Sequence, residues 1–174
     1  MSRYNKTKFI ITGALIAAAY AGLTYLSNVF GLAYGPIQLR VSEVLSILPV
    51  FTPAAIPGLT LGCFIANIGS FNAADMFFGT FATFLAAVLT YLLREIKLKN
   101  LPILAMLPPV IVNAVIIGLE IAWLYLPEGS GFWGFVISFL EVGLGQLIVC
   151  VGFGIPFYIV VKKYRIFEIE YKKR

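Results

Sequence analysis

Long runs without a charged side chain dominate this chain and constrain its fold more than any other feature. A helix spans the hydrocarbon core of a bilayer with roughly 20 residues, and most of these runs reach that length. They are Phe9 to Leu39, Val44 to Ala74, Met76 to Leu93, Asn100 to Leu119 and Val142 to Val161. Lipid is therefore the expected solvent for most of the surface, and we predict an all-α, polytopic membrane protein.

Composition agrees with this prediction. Of the 174 residues, 60% are hydrophobic and 12% are charged, whereas a soluble domain of this size carries about twice that charged fraction. No stretch is left for a soluble domain. We expect residues 1–174 to form a single integral membrane domain.

Several kinds of chemical machinery are missing from the sequence. It has no histidine, no glycine-rich loop ending in Gly-Lys-Ser/Thr and no serine-elbow pattern. Cys63 and Cys150 lie far apart in apolar runs, without metal-ligand spacing, and are interpreted as buried thiols. We expect no metal or cofactor in this chain, and any ATP must be hydrolysed by another polypeptide.

The amino terminus allows two interpretations. Arg3, Lys6 and Lys8, followed by an apolar stretch and Ala19-Tyr20-Ala21, could form a cleavable signal peptide. The apolar run continues past Phe30, however, which favours a retained first helix.

Basic residues indicate the orientation of the chain. Twelve of the thirteen fall in three clusters, and the positive-inside rule places all three in the cytoplasm. For the first two clusters to lie on the same side, the chain must cross the membrane an even number of times between them. The Val44 to Ala74 run must therefore cross twice, as two short or tilted helices that break near Thr52 to Ala55. The clusters are Arg3, Lys6 and Lys8; Arg94, Lys97 and Lys99; and Lys162 through Arg174.

Six spans follow, with both termini cytoplasmic in a multi-pass protein of the cell membrane. The first runs from about Phe9 to Phe30 and ends at Gly31, ahead of a turn-prone Tyr34-Gly35-Pro36 loop. The second and third divide Val44 to Ala74. The remaining three are Asp75 to Leu93, Leu104 to Leu126 and Phe132 to Val161.

Two glutamates inside predicted spans are the strongest candidates for function. A charge at that depth costs at least about 2.5 kcal/mol, so an intramembrane carboxylate is a functional candidate by default. Glu120 and Glu141 are both expected about 10 to 14 Å below the outer surface, on consecutive antiparallel helices. Arg40 is the nearest cation, although it could instead pair locally with Glu43.

Amide side chains converge on the same outer half of the bundle. Asn67 is expected close to the level of the glutamates, whereas Asn113 and Gln146 lie nearer the midplane. Together they suggest an outward-opening pocket. Simple interhelical hydrogen bonding, worth about 0.6 kcal/mol each, is an equally good interpretation of the three amides.

Aromatic residues near the outer face are mostly expected to form an interfacial belt. Trp123 and Trp133 are better candidates for stacking on a flat ligand, because they flank the turn above the two glutamates.

Small residues mark faces where another helix could approach closely. Ala14, Ala18 and Gly22 recur every four residues on the first helix, and Gly58 and Gly62 do so on the third. Either stripe could serve a partner protein or internal packing.

Two blocks of sequence resemble the QueT family of queuosine-precursor transporters. They are residues 35–43, Gly-Pro-Ile-Gln-Leu-Arg-Val-Ser-Glu, and residues 56–67, Ile-Pro-Gly-Leu-Thr-Leu-Gly-Cys-Phe-Ile-Ala-Asn, with Leu48-Pro49 between them. Supporting similarity follows at 107–113, at 118–120 and at 141–146. The likeness covers nearly the whole chain in order.

The resemblance implies a substrate-binding (S) component of an energy-coupling-factor importer, a six-helix capture subunit. It implies a membrane coupling subunit and two ATPases as partners, and it implies no binding of nucleic acid. Ala14 and Ala18 match the family's Ala-x-x-x-Ala contact pattern, although Ala17 and Ala21 offer a second register. The implied ligand is a 7-deazaguanine, such as 7-aminomethyl-7-deazaguanine or queuine.

That ligand suits the two acids, because a guanine-like edge presents adjacent N–H donors to one carboxylate and an aminomethyl cation suits the other. Gln38, Arg40 and Glu43 could form a lid over the pocket or could hold the loop's shape. Other vitamins, such as thiamine or riboflavin, fit the same class of protein. An intramembrane enzyme using Glu120 and Glu141 as acid and base is a rival that no nucleophile or metal-ligand set supports.

Overall fold

The computed structural model describes residues 3–33, 39–69, 73–127 and 130–167. Within these ranges the chain is helical, without β-strands, and the helices group into six rods. Four rods are long and apolar enough to cross a membrane: Lys6–Val29, Ala73–Leu92, Ile103–Leu124 and Gly131–Lys163. Two are shorter, Val41–Val50 and Ala55–Ile68. The predicted polytopic helical bundle is confirmed.

Helix α1 (Arg3–Val29) is the first long rod. Its end matches the prediction, because Gly31 adopts a left-handed φ of 71° and the Leu32 amide donates back to the Ser27 carbonyl at 3.0 Å. Glycine accepts this conformation without the steric cost that a Cβ brings. The chain leaves the helix there.

The two short rods confirm the predicted break. A 3-10 helix (Val41–Val50) is followed by a turn and then by α2 (Ala55–Ile68). Pro49 and Pro53 supply no backbone N–H, so a continuous α-helix through them would lose hydrogen bonds. At about 20 Å each, both rods are shorter than the hydrocarbon core.

The remaining rods are α3 (Ala73–Leu92), α4 (Ile103–Leu124) and a final composite rod. In that last rod α5 (Gly131–Leu147) continues through a π-helical segment (Ile148–Phe153) into α6 (Gly154–Lys163). The π segment lies just before Pro156, whose ring disrupts regular α-helical hydrogen bonding. The predicted span, Phe132 to Val161, lies within this rod.

Neighbouring rods pack in chain order: α1 on α2, α2 on α3, α3 on α4 and α4 on α5. The 3-10 helix contacts α1, α2, α3, α4, α6 and the π segment, so it lies inside the bundle. Its surroundings include fully buried side chains such as Tyr20, Leu59 and Met106. We call the two ends of the bundle the Arg40 end and the Arg94 end.

Candidate functional site

Arg40 connects several segments at the Arg40 end of the bundle. It immediately precedes the 3-10 helix and is 5% exposed. Its Nε donates to the Ala33 carbonyl at 2.9 Å, and its Nη1 donates to Asn67 Oδ1 at 3.0 Å. Its Nη2 lies 3.6 Å from Asp75 Oδ2. One guanidinium thus links three segments: the residues that follow α1, helix α2 and helix α3.

Asn67 is the second part of this network. Its side chain is fully buried, and its Nδ2 donates to the Asp75 carbonyl at 2.9 Å. Gly79 makes room for the amide, because a Cβ at that position would lie 2.7 Å from Nδ2. The amide therefore holds α2 and α3 together while presenting its oxygen to Arg40.

Glu120 is buried beside this network on α4, at 4% exposure. The side chains of Asp75 and Tyr125 lie close to its carboxylate, and the charges of Asp75 and Arg40 act on it. Neither carboxylate oxygen, however, makes a hydrogen bond of normal length and angle with the described residues. Because buried polar groups are almost always hydrogen-bonded, this carboxylate has unfilled acceptor positions.

Asp75 belongs to the Arg40 network, although the sequence does not single it out as a candidate. It begins the predicted Asp75 to Leu93 span, and it is 9% exposed and paired with Arg40. The signal in the sequence was its place at the start of a predicted span. Its partner could not be read from sequence, and the alternative pairing of Arg40 with Glu43 was equally open.

Glu141 is half-buried on α5 and makes no hydrogen bond or ion pair with the described residues. Two close approaches set the register of α4 and α5: a Cβ at Gly118 would lie 3.1 Å from the Phe139 backbone, and one at Gly143 would lie 3.4 Å from Ala114. In this antiparallel register Glu141 lies about 6 Å further from the Arg40 end than Glu120. The two acids are therefore about one helical turn apart in depth, rather than level.

Asn113 and Gln146 lie deeper and apart from the Arg40 network. Both are buried. Asn113 Nδ2 donates to the Pro109 carbonyl at 2.8 Å, and Gln146 Oε1 accepts from Cys150 Sγ at 3.1 Å. Each amide is thus engaged by its own rod, and their role in binding stays a prediction.

The predicted stacking residues lie on the outside of the bundle. Trp123 is 83% exposed and Trp133 is 73% exposed, and Trp133 packs edge-on against Phe132 with ring centroids 6.1 Å apart. In this arrangement neither indole belongs to the buried network. Gln38, the remaining candidate, lies outside the described residues.

The two small-residue stripes have different surroundings. Gly58 and Gly62 face α1, where a Cβ at Gly62 would lie 2.8 Å from the Ala17 carbonyl oxygen, so this stripe serves internal packing. The Ala17 and Ala21 register is buried by the same contact. In contrast, the stripe of Ala14, Ala18 and Gly22 is exposed on the outside of the bundle.

Apolar rods long enough to span a bilayer, with ionisable side chains buried between them, define a polytopic membrane protein with an internal polar site, as membrane transport proteins have. Comparison with known families agrees. A family model described as "QueT transporter" matches residues 10–163. The chain belongs to the QueT transporter family.

A curated relative supports this membership. The "Queuosine precursor transporter QueT" of Lactococcus lactis subsp. cremoris (strain MG1363) is 39% identical over 91 residues, which are 52% of this chain and 54% of the relative. The match thus spans about half of each protein. No solved structure matches this chain.

Proposed function

We propose that this chain is the substrate-capture subunit of an energy-coupling-factor importer and that its substrate is a queuosine precursor, a 7-deazaguanine. The observation that carries the proposal is the buried Glu120 carboxylate, whose two oxygens make no hydrogen bond of normal length and angle with the described residues. The printed name of the Lactococcus relative supplies the substrate class.

The chemistry of a deazaguanine complements the acids in this half of the bundle. Its pyrimidine edge carries adjacent N–H donors, and a carboxylate accepts such donors in pairs. Glu120 offers two buried acceptor oxygens, and Glu141 offers a half-buried carboxylate about one turn deeper. The planar base would thus exchange water for charge-assisted hydrogen bonds, which are roughly twice as strong as neutral ones.

The proposed importer requires partners for energy. The sequence carries no phosphate-binding loop, so two ATPase subunits and a membrane coupling subunit would supply ATP hydrolysis and its transmission. The exposed stripe of Ala14, Ala18 and Gly22 supports a docking role, because small residues let a partner helix approach closely. In this assembly the Arg40 end faces outward and both termini are cytoplasmic.

Binding to the detergent-purified chain tests the substrate. We expect calorimetry to show selective binding of 7-aminomethyl-7-deazaguanine or queuine over guanine, thiamine and riboflavin. Glu120→Gln should weaken binding at least about tenfold, since a hydrogen bond to a charged group is worth about 1.5–3 kcal/mol. Tight binding of thiamine or riboflavin instead would reassign the substrate, and chemical turnover by the chain alone would contradict a capture role.

Docking is tested separately on α1. Ala14→Leu with Ala18→Leu should abolish co-purification with the coupling subunit and leave ligand binding unchanged, because both residues are exposed. Ala17→Leu is the matched contrast: Ala17 is 3% exposed, so this variant should lose thermal stability and ligand binding as well. Normal assembly of the Ala14/Ala18 variant would place the coupling contact elsewhere.

A further inference from the structure

The first and last rods leave a cleft between them at the Arg94 end of the bundle. Both α1 and α6 contact the 3-10 helix. Within the described residues, however, α6 does not pack along α1 as α2 does. The 3-10 helix therefore forms the floor of an open groove between the two rods, which we call the α1/α6 cleft.

The α1/α6 cleft is large and mostly apolar. Its volume is about 790 Å³, which lies within the range of ligand-binding clefts, about 300–1,000 Å³. Helix α1 lines it from Lys8 to Ala19, the 3-10 helix contributes Leu45 and Leu48, and α6 contributes Phe157. Among the described residues that line it, none belongs to the Arg40 network. Leu15 in its wall is 66% exposed, so the cleft opens sideways towards lipid.

The length of the cleft matches one leaflet of a bilayer. At about 1.5 Å per residue, the wall from Lys8 to Ala19 is about 16 Å long. The hydrocarbon core is about 30 Å thick, so this wall covers about the depth of a single leaflet. An acyl chain in the cleft would therefore extend along α1 from Lys8 towards the centre of the bilayer.

Basic side chains lie at the end of the cleft that meets the bilayer surface. Lys8 lines the cleft directly. Lys162 and Lys163 occupy the last turn of α6, directly after Val161, which also lines the cleft. Basic pockets between membrane helices bind the headgroups of anionic lipids. An apolar wall one leaflet deep with a basic end thus complements both parts of an anionic phospholipid.

We propose that the α1/α6 cleft binds one anionic phospholipid, with an acyl chain against Leu45 and Leu48 and the phosphate at Lys8. The topology given under the proposed function makes this a lipid of the inner leaflet. The lipid covers the side of the bundle that α1 and α6 leave open, and it stabilises the folded chain as a ligand of the native state does. The site lies at the opposite end of the bundle from Arg40 and does not depend on the identity of the transported substrate.

Native mass spectrometry of the full chain in detergent tests the proposal with two phospholipids that carry identical acyl chains. We expect one dioleoylphosphatidylglycerol per chain to be retained at least about tenfold more tightly than dioleoylphosphatidylcholine, because only the former is anionic. The anionic lipid should also raise the thermal midpoint more than the zwitterionic one. Equal retention of the two lipids would overturn the proposal.

Substitutions of paired lysines on α1 locate the headgroup. Lys8→Gln should lower the preference for the anionic lipid about fivefold, because it removes the basic side chain in the lining. Lys6→Gln is the matched control, since Lys6 is exposed and lies outside the lining, and it should change the preference less than about twofold. Equal effects of the two variants would show attraction to the general surface charge and would reject the cleft.

Substitutions of paired alanines locate the acyl chain. Ala19→Phe should fill the cleft and reduce retention of both lipids, whereas Ala18→Phe, on an exposed neighbour outside the lining, should not. Retention of lipid only by a chain truncated after Phe167 would make residues 168–174 the occupant of the cleft and would also reject the proposal. Should Ala19→Phe fail to fold, the lysine pair still decides the matter.

Discussion

Glu43 and Glu120 are both buried carboxylates, and their neighbours give them different roles. Tyr20 Oη donates to Glu43 Oε1 at 2.5 Å, and Ser46 Oγ donates to Oε2 at 2.8 Å. Neither oxygen of Glu120 makes a hydrogen bond of normal length and angle with the described residues. Glu43 therefore stabilises the 3-10 helix against α1, whereas Glu120 is the carboxylate that the proposed function assigns to the ligand.

Tyr20→Phe should destabilise the protein. The substitution removes one donor from a carboxylate that is 3% exposed, and a buried unsatisfied acceptor costs about 1–3 kcal/mol. Tyr25→Phe is the matched control on the same helix, because the Tyr25 hydroxyl donates to the Ile65 carbonyl in an exposed position. We expect a clear drop in the thermal midpoint in detergent for Tyr20→Phe and a smaller one for Tyr25→Phe. Equal effects would argue against a structural role for Glu43.

Gly79→Ala should disturb the site through Asn67. The added Cβ would lie 2.7 Å from Asn67 Nδ2, so the amide must shift and its bonds to Arg40 and Asp75 must lengthen. Overpacking of this kind costs about 1–3 kcal/mol. Gly143→Ala meets its nearest neighbour at 3.4 Å and controls for the gain in helix propensity. We expect weaker ligand binding and a lower thermal midpoint for Gly79→Ala alone.

Helices α1 and α2 approach each other through glycine. A Cβ at Gly58 would lie 2.7 Å from the Gly13 carbonyl oxygen, and one at Gly62 would lie 2.8 Å from that of Ala17. These neighbours are backbone atoms, which cannot move aside as a flexible side chain can. The contact buries one face of α1 and leaves the Ala14, Ala18 and Gly22 stripe on the other.

Gly62→Ala should therefore destabilise the bundle by about 1–3 kcal/mol, because the helices must separate to admit the methyl group. Gly22→Ala, on the exposed stripe, meets nothing within 4 Å and should be neutral or slightly stabilising, since alanine favours helix over glycine. Thermal unfolding in detergent measures both. A destabilised Gly22→Ala with an unaffected Gly62→Ala would reverse the assignment of the two faces.

The bundle as a whole places the start of α1 and the end of α6 at one end. Six rods in the described residues return the chain to the Arg94 end, with α1 beginning there and α6 ending there. The basic side chains of Lys162 and Lys163 lie in the last turn of α6. Anionic lipids of the inner leaflet attract such clusters by about 1 kcal/mol per residue, which supports a cytoplasmic position for that end.

Cysteine labelling in intact cells tests this orientation. A membrane-impermeant maleimide should label Ser130→Cys, between α4 and α5, and should label Lys6→Cys and Arg165→Cys only after the cells are opened. The native Cys63 and Cys150 are 1% and 3% exposed, so they should add little background. Labelling of Lys6→Cys and Arg165→Cys from opposite sides would require an odd number of crossings.

The helical class, the approximate limits of the rods and the break before Ala55 followed from the sequence alone. Hydropathy, proline and glycine act within a few residues of where they occur, so the chain's local pattern is sufficient to place such features. Glu120 stands out for a similar local reason, because an ionisable side chain inside an apolar span is costly in lipid. Asn67 stands out as an amide near the same level, and Arg40 as the nearest cation.

The grouping of these residues depended on the tertiary structure. Which face of α1 is buried, how far Glu141 lies from Glu120, and the pairing of Arg40 with Asp75 all follow from the rotation of each rod about its axis and its register against its neighbours. Those quantities are set by close packing between segments distant in sequence, such as Gly62 against Ala17 and Gly118 against Phe139. A hydropathy pattern contains no information on such contacts, and so only the folded protein places Asp75 beside Arg40.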